Sequence, residues 1–155
     1  MGSIFRKLIW LKLLVQRVSS ASVEVENQII ASISNGVLVF VGFDKEDNSK
    51  KLQTLANKLL NYKIFSDIDG KLALSLTQTN NDILLVPQVT LSVGTKKGTK
   101  PSFSNASDPD RGNILFQEFK RLLQEKFKDV ESGIFGADMS VSLINEGPIT
   151  FWFES

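Results

Sequence analysis

Neither cysteine nor histidine occurs anywhere in the 155 residues. Without Cys there is no disulfide, no thiol nucleophile and no thiolate zinc site. Without His every Ser-His or Cys-His arrangement is excluded, as is any imidazole acid or base. An enzyme built from this chain works with carboxylates, lysines, hydroxyls, backbone dipoles or its substrate's own groups. An excess of one charge is missing too: 18 Lys and Arg against 17 Asp and Glu leave +1. No global field draws the chain to nucleic acid or membrane, so any RNA contact has to come from a local patch. No apolar run reaches the ~18 residues of a membrane span. Arg6, Lys7 and Lys12 interrupt the apolar start MGSIFRKLIWLKLLVQRV. No small-residue cleavage site follows it, and Arg6 stands where a myristoylation signal wants Ser or Thr. A soluble, cytoplasmic protein with no membrane partner is the expectation.

What is present fits one globular domain with a real core. Hydrophobic residues make up 42% and charged residues 23%, both ordinary values. Leu11 to Val18, Ser22 to Glu26 and Ile29 to Ile33 read as strands, and Asn35-Gly36 is a turn signal. Val37 to Phe43 is a continuous apolar run, as in a buried strand. From Ser49 a helical pattern begins, with Leu52, Leu55, Ala56, Leu59 and Leu60 on one face and Asn48 or Ser49 as its cap. Ile64-Phe65 runs into a turn; Leu72, Leu74 and Leu76 alternate; Ile83 to Val86 ends at Pro87. Ser107-Asp108-Pro109-Asp110 opens a second helix reaching about Lys128, with Ile114, Leu115, Phe119, Leu122, Leu123 and Phe127 inside. Val141 to Ile144 and Ile149 to Phe153 read as strands around a Gly147-Pro148 corner. Strands in runs with two main helices predict an α+β fold.

No P-loop, G-x-S-x-G or GxGxxG motif occurs. Asp44, Glu46 and Asp47 read as a solvated acidic loop tip rather than a metal site; no metal or other cofactor is expected. Lys96, Lys97 and Lys100 lie in a glycine-containing loop that is either solvated or a phosphate clamp. Two segments embed polar residues between apolar strands: Pro87-Gln88-Val89-Thr90 and Asn145-Glu146-Gly147-Pro148. Each is a strand end and a turn, or a piece of a site. Proline cannot donate to a sheet ladder and glycine adopts angles that other residues avoid, so Gly147-Pro148 makes a stiff corner with an exposed carbonyl.

From Leu11 onward the sequence resembles the D-aminoacyl-tRNA deacylases (D-tyrosyl-tRNA deacylases). The likeness is carried in order by VQRVSSASVEVE, GVLVFVGFDKED, YKIFSDIDGKLALSL, LLVPQVTL, KPSFSNASDPDR and FGADMSVSLINEGPITFW. It implies one domain over residues 11–155, with residues 1–10 an extension outside the likeness. It also implies a layered β/β/α fold with mixed and antiparallel sheets, working as a homodimer. The implied reaction is hydrolysis of the ester of D-aminoacyl-tRNA, and of glycyl-tRNA mischarged on the alanine tRNA, as chiral proofreading. The family's Ser-Gln-Phe-Thr segment is matched by Pro87, Gln88, Val89 and Thr90. Its cis Gly-Pro pair is matched by Gly147-Pro148, which in the family reaches into the partner's site and lines it with carbonyl oxygens. That rim admits hydrogen but no side chain on one side of the substrate's α-carbon, and so rejects L-residues. Backbone N–H groups near Val89 and Thr90 are the implied oxyanion donors. Gln88 is implied to bind substrate or hold the loop. Asn145 belongs to the gate, and Arg17 is implied to brace the corner. Phe103 is implied to face the terminal adenosine or to pack in the core. Lys96, Lys97 and Lys100 are implied to lie near tRNA phosphates. Thr90 as nucleophile is disfavoured, since no base is evident to activate it.

Two residues depart from the pattern: Pro87 replaces Ser and Val89 replaces Phe. A related animal branch carries Pro-Gln-Ala-Thr, holds its Gly-Pro bond trans and accepts some L-alanyl-tRNA. The alternatives are therefore a relaxed deacylase accepting L-alanyl-tRNA and a non-catalytic tRNA-binding module on the same fold.

Overall fold

A computed structural model of the protein describes residues 11–155. The extension expected over residues 1–10 lies outside the described residues.

The chain runs β1 (Lys12–Val25), β2 (Gln28–Ile33), β3 (Gly36–Gly42), α1 (Ser49–Asn61), β4 (Phe65–Ser66), β5 (Leu72–Leu74), α2 (Leu76–Thr79) and β6 (Asp82–Pro87). A 3-10 turn (Val89–Ser92), α3 (Pro109–Lys126), β7 (Glu131–Ser132) and β8 (Ser140–Glu154) complete it. The main sheet is ordered β2-β1-β3-β6-β7, with β8 along the other side of β1. Pairs β3–β6 and β6–β7 are parallel and the rest antiparallel, so the sheet is mixed and the fold α+β.

Each helix follows from its sequence. The Asn48 side chain accepts from Lys51 N–H at 3.1 Å and caps α1, whose predicted stripe from Leu52 to Leu60 is buried. Asp108 accepts from Arg111 N–H at 3.0 Å, with Pro109 in the first turn of α3. Both helices pack on the face carrying Leu13, Val15, Val37, Val39, Val41, Ile83 and Leu85. Each fully buried aliphatic side chain there contributes about 1.5–3 kcal/mol. On the opposite face a second core gathers Val18, Ala21, Val23, Ala31, Ile33, Leu38, Leu84 and Val86. The far halves of β1 and β8 and all of β2 supply its outer wall.

Several readings are corrected. The strands expected at residues 11–18 and 22–26 are one strand, because Ser19, Ser20 and Ala21 contain no breaker and β8 pairs with Ser20 and Ala21. The segments either side of Gly147-Pro148 are likewise one strand, since β8 resumes its pairing with β1 beyond the corner. Leu76 leaves the alternation it shares with Leu72 and Leu74, because Ser75 and Gln78 form a capping box that opens α2. Ile114 is 63% exposed; Phe116 takes the inward position on α3.

Candidate functional site

Strand β6 runs between β3 and β7 and stops at Pro87, whose ring has no N–H to offer. Gln88 N–H still donates to Val41 O at 2.8 Å, which carries the parallel ladder one residue further. The chain then tightens into the 3-10 turn from Val89 to Ser92. The first N–H groups of such a turn have no partner inside it. Thr90 Oγ1 donates to Gln88 Oε1 at 2.7 Å, so the two polar side chains of the motif hold each other. Beside them opens a cavity of about 420 Å³, touched by Pro87, Gln88 and Val89. Its floor is Phe40 and Val86; its far wall is the loop Phe135 to Met139 before β8. The volume lies in the range of sites for small ligands.

The second motif is a bulge. Val18 pairs with Asn145 and Gln16 pairs with Thr150, so four residues of β8, Glu146 to Ile149, stand opposite Arg17 alone. Surplus residues on one strand bend it and aim it away from the ladder. Gly147-Pro148 is cis, Gly147 has φ +122°, and both residues are exposed. Arg17 Nε donates to Glu146 O at 3.2 Å. Asn145 Nδ2 donates to Arg17 O and to Ile149 O, each at 2.9 Å. Arg17 is itself fixed by donation from Nη1 to Ile64 O at 3.2 Å and Ser66 Oγ at 3.1 Å. Arg17 thus braces the corner, and Asn145 closes its base.

The structure does not bring the two motifs together within one chain. Pro87 pairs with Val41 and Val41 with Leu13, four residues along β1 from Arg17. That offset is roughly 13 Å along the strands, and the three strand spacings from β8 to β6 add about 14 Å crosswise. Corner and cavity are therefore roughly 20 Å apart.

A family model described as D-Tyr-tRNA(Tyr) deacylase matches residues 14–154. The D-aminoacyl-tRNA deacylase of Teredinibacter turnerae is 48% identical over 145 residues, covering 94% of this chain and all of that one. The D-aminoacyl-tRNA deacylase of Francisella tularensis subsp. novicida is 45% identical over 141 residues, covering 91% and 97%. The chain belongs to this deacylase family. Among solved structures, one described as a c-Myc DNA unwinding element binding protein superposes with a TM-score of 0.90 at 35% identity, covering 93% and 98%. Another, a probable eukaryotic D-amino acid tRNA deacylase, has a TM-score of 0.81 at 22% identity and covers 94% and 100%; it supports the fold.

The remaining residues singled out on the deacylase pattern fall elsewhere. Phe103 is 51% exposed, which excludes the core, and it does not line the cavity. Lys96, Lys97 and Lys100 are exposed on a loop whose ends are clasped by Gly94 N–H to Ser102 O (2.7 Å) and Ser102 N–H to Gly94 O (2.9 Å). The wall residues Phe135, Ala137, Asp138 and Met139 escaped the residue reading. Their only signal was FGADM, one of the segments that carry the likeness.

The acidic loop is not a solvated tip. Asp44 and Asp47 are buried and only Glu46 is exposed. Lys12 Nζ lies 3.2 Å from Asp44 Oδ2, and Lys51 Nζ 3.8 Å from Asp47 Oδ1. Asp44 N–H donates to Asp47 Oδ2 at 2.6 Å, and Arg111 Nη2 donates to Asp47 O at 2.6 Å. Burial above all pushes the Asp47 carboxyl up to about 6; the Asp44 charge adds to this, while the Asp44 N–H and Lys51 oppose it. The cluster ties the start of β1 to α1 and α3 beside the cavity.

Proposed function

We infer that this protein hydrolyses the ester of D-aminoacyl-tRNA, releasing free D-amino acid and tRNA, as a proofreading step in translation. The observation that carries the reading is the braced bulge from Glu146 to Ile149 in a chain of the deacylase family. Its backbone is held at both ends, at Glu146 O and Ile149 O, and exposed at its tip. Such a corner suits recognition by backbone carbonyls, because its geometry does not adjust to the ligand.

In this reading the terminal adenosine of the tRNA occupies the 420 Å³ cavity, with Phe40 and Phe135 as apolar walls. The ester carbonyl then lies at the 3-10 turn. Water adds to the carbonyl carbon, and the ribose oxygen leaves with a proton. N–H groups of Val89 and Thr90 stabilise the charge that develops on the carbonyl oxygen. The neighbouring ribose hydroxyl assists, and positioning supplies much of the rest. Thr90 is not the nucleophile here: its hydroxyl proton is given to Gln88 Oε1, an amide rather than a base.

The corner acts in trans. Because Gly147-Pro148 is roughly 20 Å from its own chain's cavity, a second copy of the chain supplies it, and the working unit is a homodimer. Its carbonyl rim leaves room for hydrogen but not for an L side chain, so D-residues and glycine enter. Lys96, Lys97 and Lys100 meet tRNA phosphates, and half-exposed Phe103 stands near them as an RNA contact. Residues 11–155 form the one catalytic domain, acting in the cytoplasm.

The test is deacylation of D-tyrosyl-, glycyl- and L-alanyl-tRNA side by side. Cleavage of the first two with L-alanyl-tRNA spared is expected. Cleavage of L-alanyl-tRNA replaces the selective reading with the relaxed one and implicates Pro87 and Val89. No cleavage of D-tyrosyl-tRNA above the enzyme-free rate overturns the hydrolase reading.

A further inference from the structure

Arg17 is a 91% buried cation whose partners are all uncharged. Nε and Nη1 donate to two carbonyls and one hydroxyl. No carboxylate of the described residues lies within ion-pair distance of it. Nη2 makes no hydrogen bond among the described residues, yet it is not sealed from solvent. A buried charge is ordinarily paired, because leaving it unpaired is costly. One nitrogen of this delocalised cation therefore keeps its N–H groups unspent among the described residues.

Arg17 forms part of a separate cleft of about 310 Å³, lined also by Asn35, Phe65, Ser66, Thr79, Asn81 and Glu146. It shares no lining residue with the cavity at Gln88. The side-chain amides of Asn35 and Asn81, two of the lining residues, make no hydrogen bond among the described residues, so their N–H donors are unspent. Glu146 is the carboxylate of this lining; it is exposed and free to turn to solvent. A guanidinium edge flanked by amide donors matches the oxygens of a phosphate or carboxylate.

We propose that this cleft is a binding site for a small oxyanion, seated on Arg17 Nη2 between the amides of Asn35 and Asn81. Two sources share that chemistry: a backbone phosphate of nucleic acid and the carboxylate of a free amino acid. Occupation couples to the corner, because the same guanidinium holds the Glu146 carbonyl. The site depends only on the surroundings of Arg17, so it stands or falls separately from the hydrolase reading.

The experiment is a ¹⁵N–¹H NMR titration of the full chain, without tRNA, at constant ionic strength in chloride. Inorganic phosphate and acetate are the two probes. The expected result is saturable shifts at Arg17 Nε–H and at the amides of Ser66, Glu146 and Gly147. Asn81→Asp, which places a carboxylate against Arg17, weakens the apparent affinity at least tenfold. Ser66→Asp does the same from another strand and serves if the first variant does not fold. A response to phosphate alone assigns the site to nucleic-acid phosphate; a response to acetate alone assigns it to carboxylates; both responses support the site. No shifts with either probe, shifts confined to the Lys96–Lys100 loop, or affinity unchanged in both variants overturn the proposal.

Discussion

Arg17 and Glu146 are 129 positions apart, and the Arg17 Nε–H donates to the Glu146 carbonyl at 3.2 Å. That bond crosses from the β1 residue that faces the bulge to the first of the four bulge residues on its neighbour. The bulge is thus held at its backbone oxygens by the side chains of Arg17 and Asn145.

Gly147→Ala tests that shape. A Cβ at Gly147 would lie 2.7 Å from Ile149 Cγ1 and 2.9 Å from Arg17 Nη2, at a φ of +122° that L-residues rarely adopt. The variant is expected to stay folded, lose about 1–3 kcal/mol of stability, and cleave D-tyrosyl-tRNA at least ~10-fold less efficiently, ~1.4 kcal/mol in barrier terms. Unchanged kcat/KM rules out a role for the corner in the site.

Thr90→Ala separates backbone from side-chain catalysis. It removes one hydrogen bond, that to Gln88 Oε1. With N–H groups as the oxyanion donors, single-turnover rates are expected to stay within ~10-fold of the parent; loss of an essential nucleophile costs about 10⁴-fold or more. A loss on that scale with the fold intact makes Thr90 the nucleophile.

Asp47→Asn probes the buried acid. The native carboxyl titrates near 6, above its unfolded value of 3.8. Between those pH values the folded state keeps a proton that the unfolded state has released. Stability from this group is therefore fully present below about pH 4 and falls as pH rises to about 6. The loss is on the order of 2–3 kcal/mol, constant above that. Urea unfolding at pH 4 and 7 is expected to show that the parent minus variant difference drops by that amount. A pH-independent difference means the carboxyl is not held protonated by burial.

How much of this was legible varied with the physics involved. The helix starts at Asn48 and Asp108 were readable because caps are local chemistry. The two polar segments stood out because they interrupt apolar strands, but turn and site remained open on the residues alone, and only the likeness to the deacylases favoured a site. The continuity of β1 was not readable, since it depends on β8 pairing with Ser20 and Ala21 from more than a hundred residues away. Nor was the burial of Asp44 and Asp47: a D-K-E-D run looks solvated until Lys12, Lys51 and Arg111 arrive from three other elements. Ile114 misled because Leu115 and Phe116 fill the same turn, and only the fold decides which of them faces inward.

Replacing Lys96, Lys97 and Lys100 together with Ala tests the RNA contact. Each phosphate neutralised contributes roughly 0.7–0.9 to the slope of log affinity against log salt. The triple variant is expected to lower that slope by about 2 for tRNA and leave the melting temperature unchanged. An identical slope removes this loop from the RNA surface.

The roughly 20 Å between corner and cavity has a genetic consequence. A chain broken at Gly147 keeps a sound cavity, and one broken at Gln88 keeps a sound corner. When the two are made together, and the corner acts in trans as proposed, a mixed pair contains one centre with both defects and one with neither. Two inactive alleles in the same cell should therefore rescue each other, to about a quarter of normal capacity if chains pair at random: half of all pairs are mixed, with one working centre each.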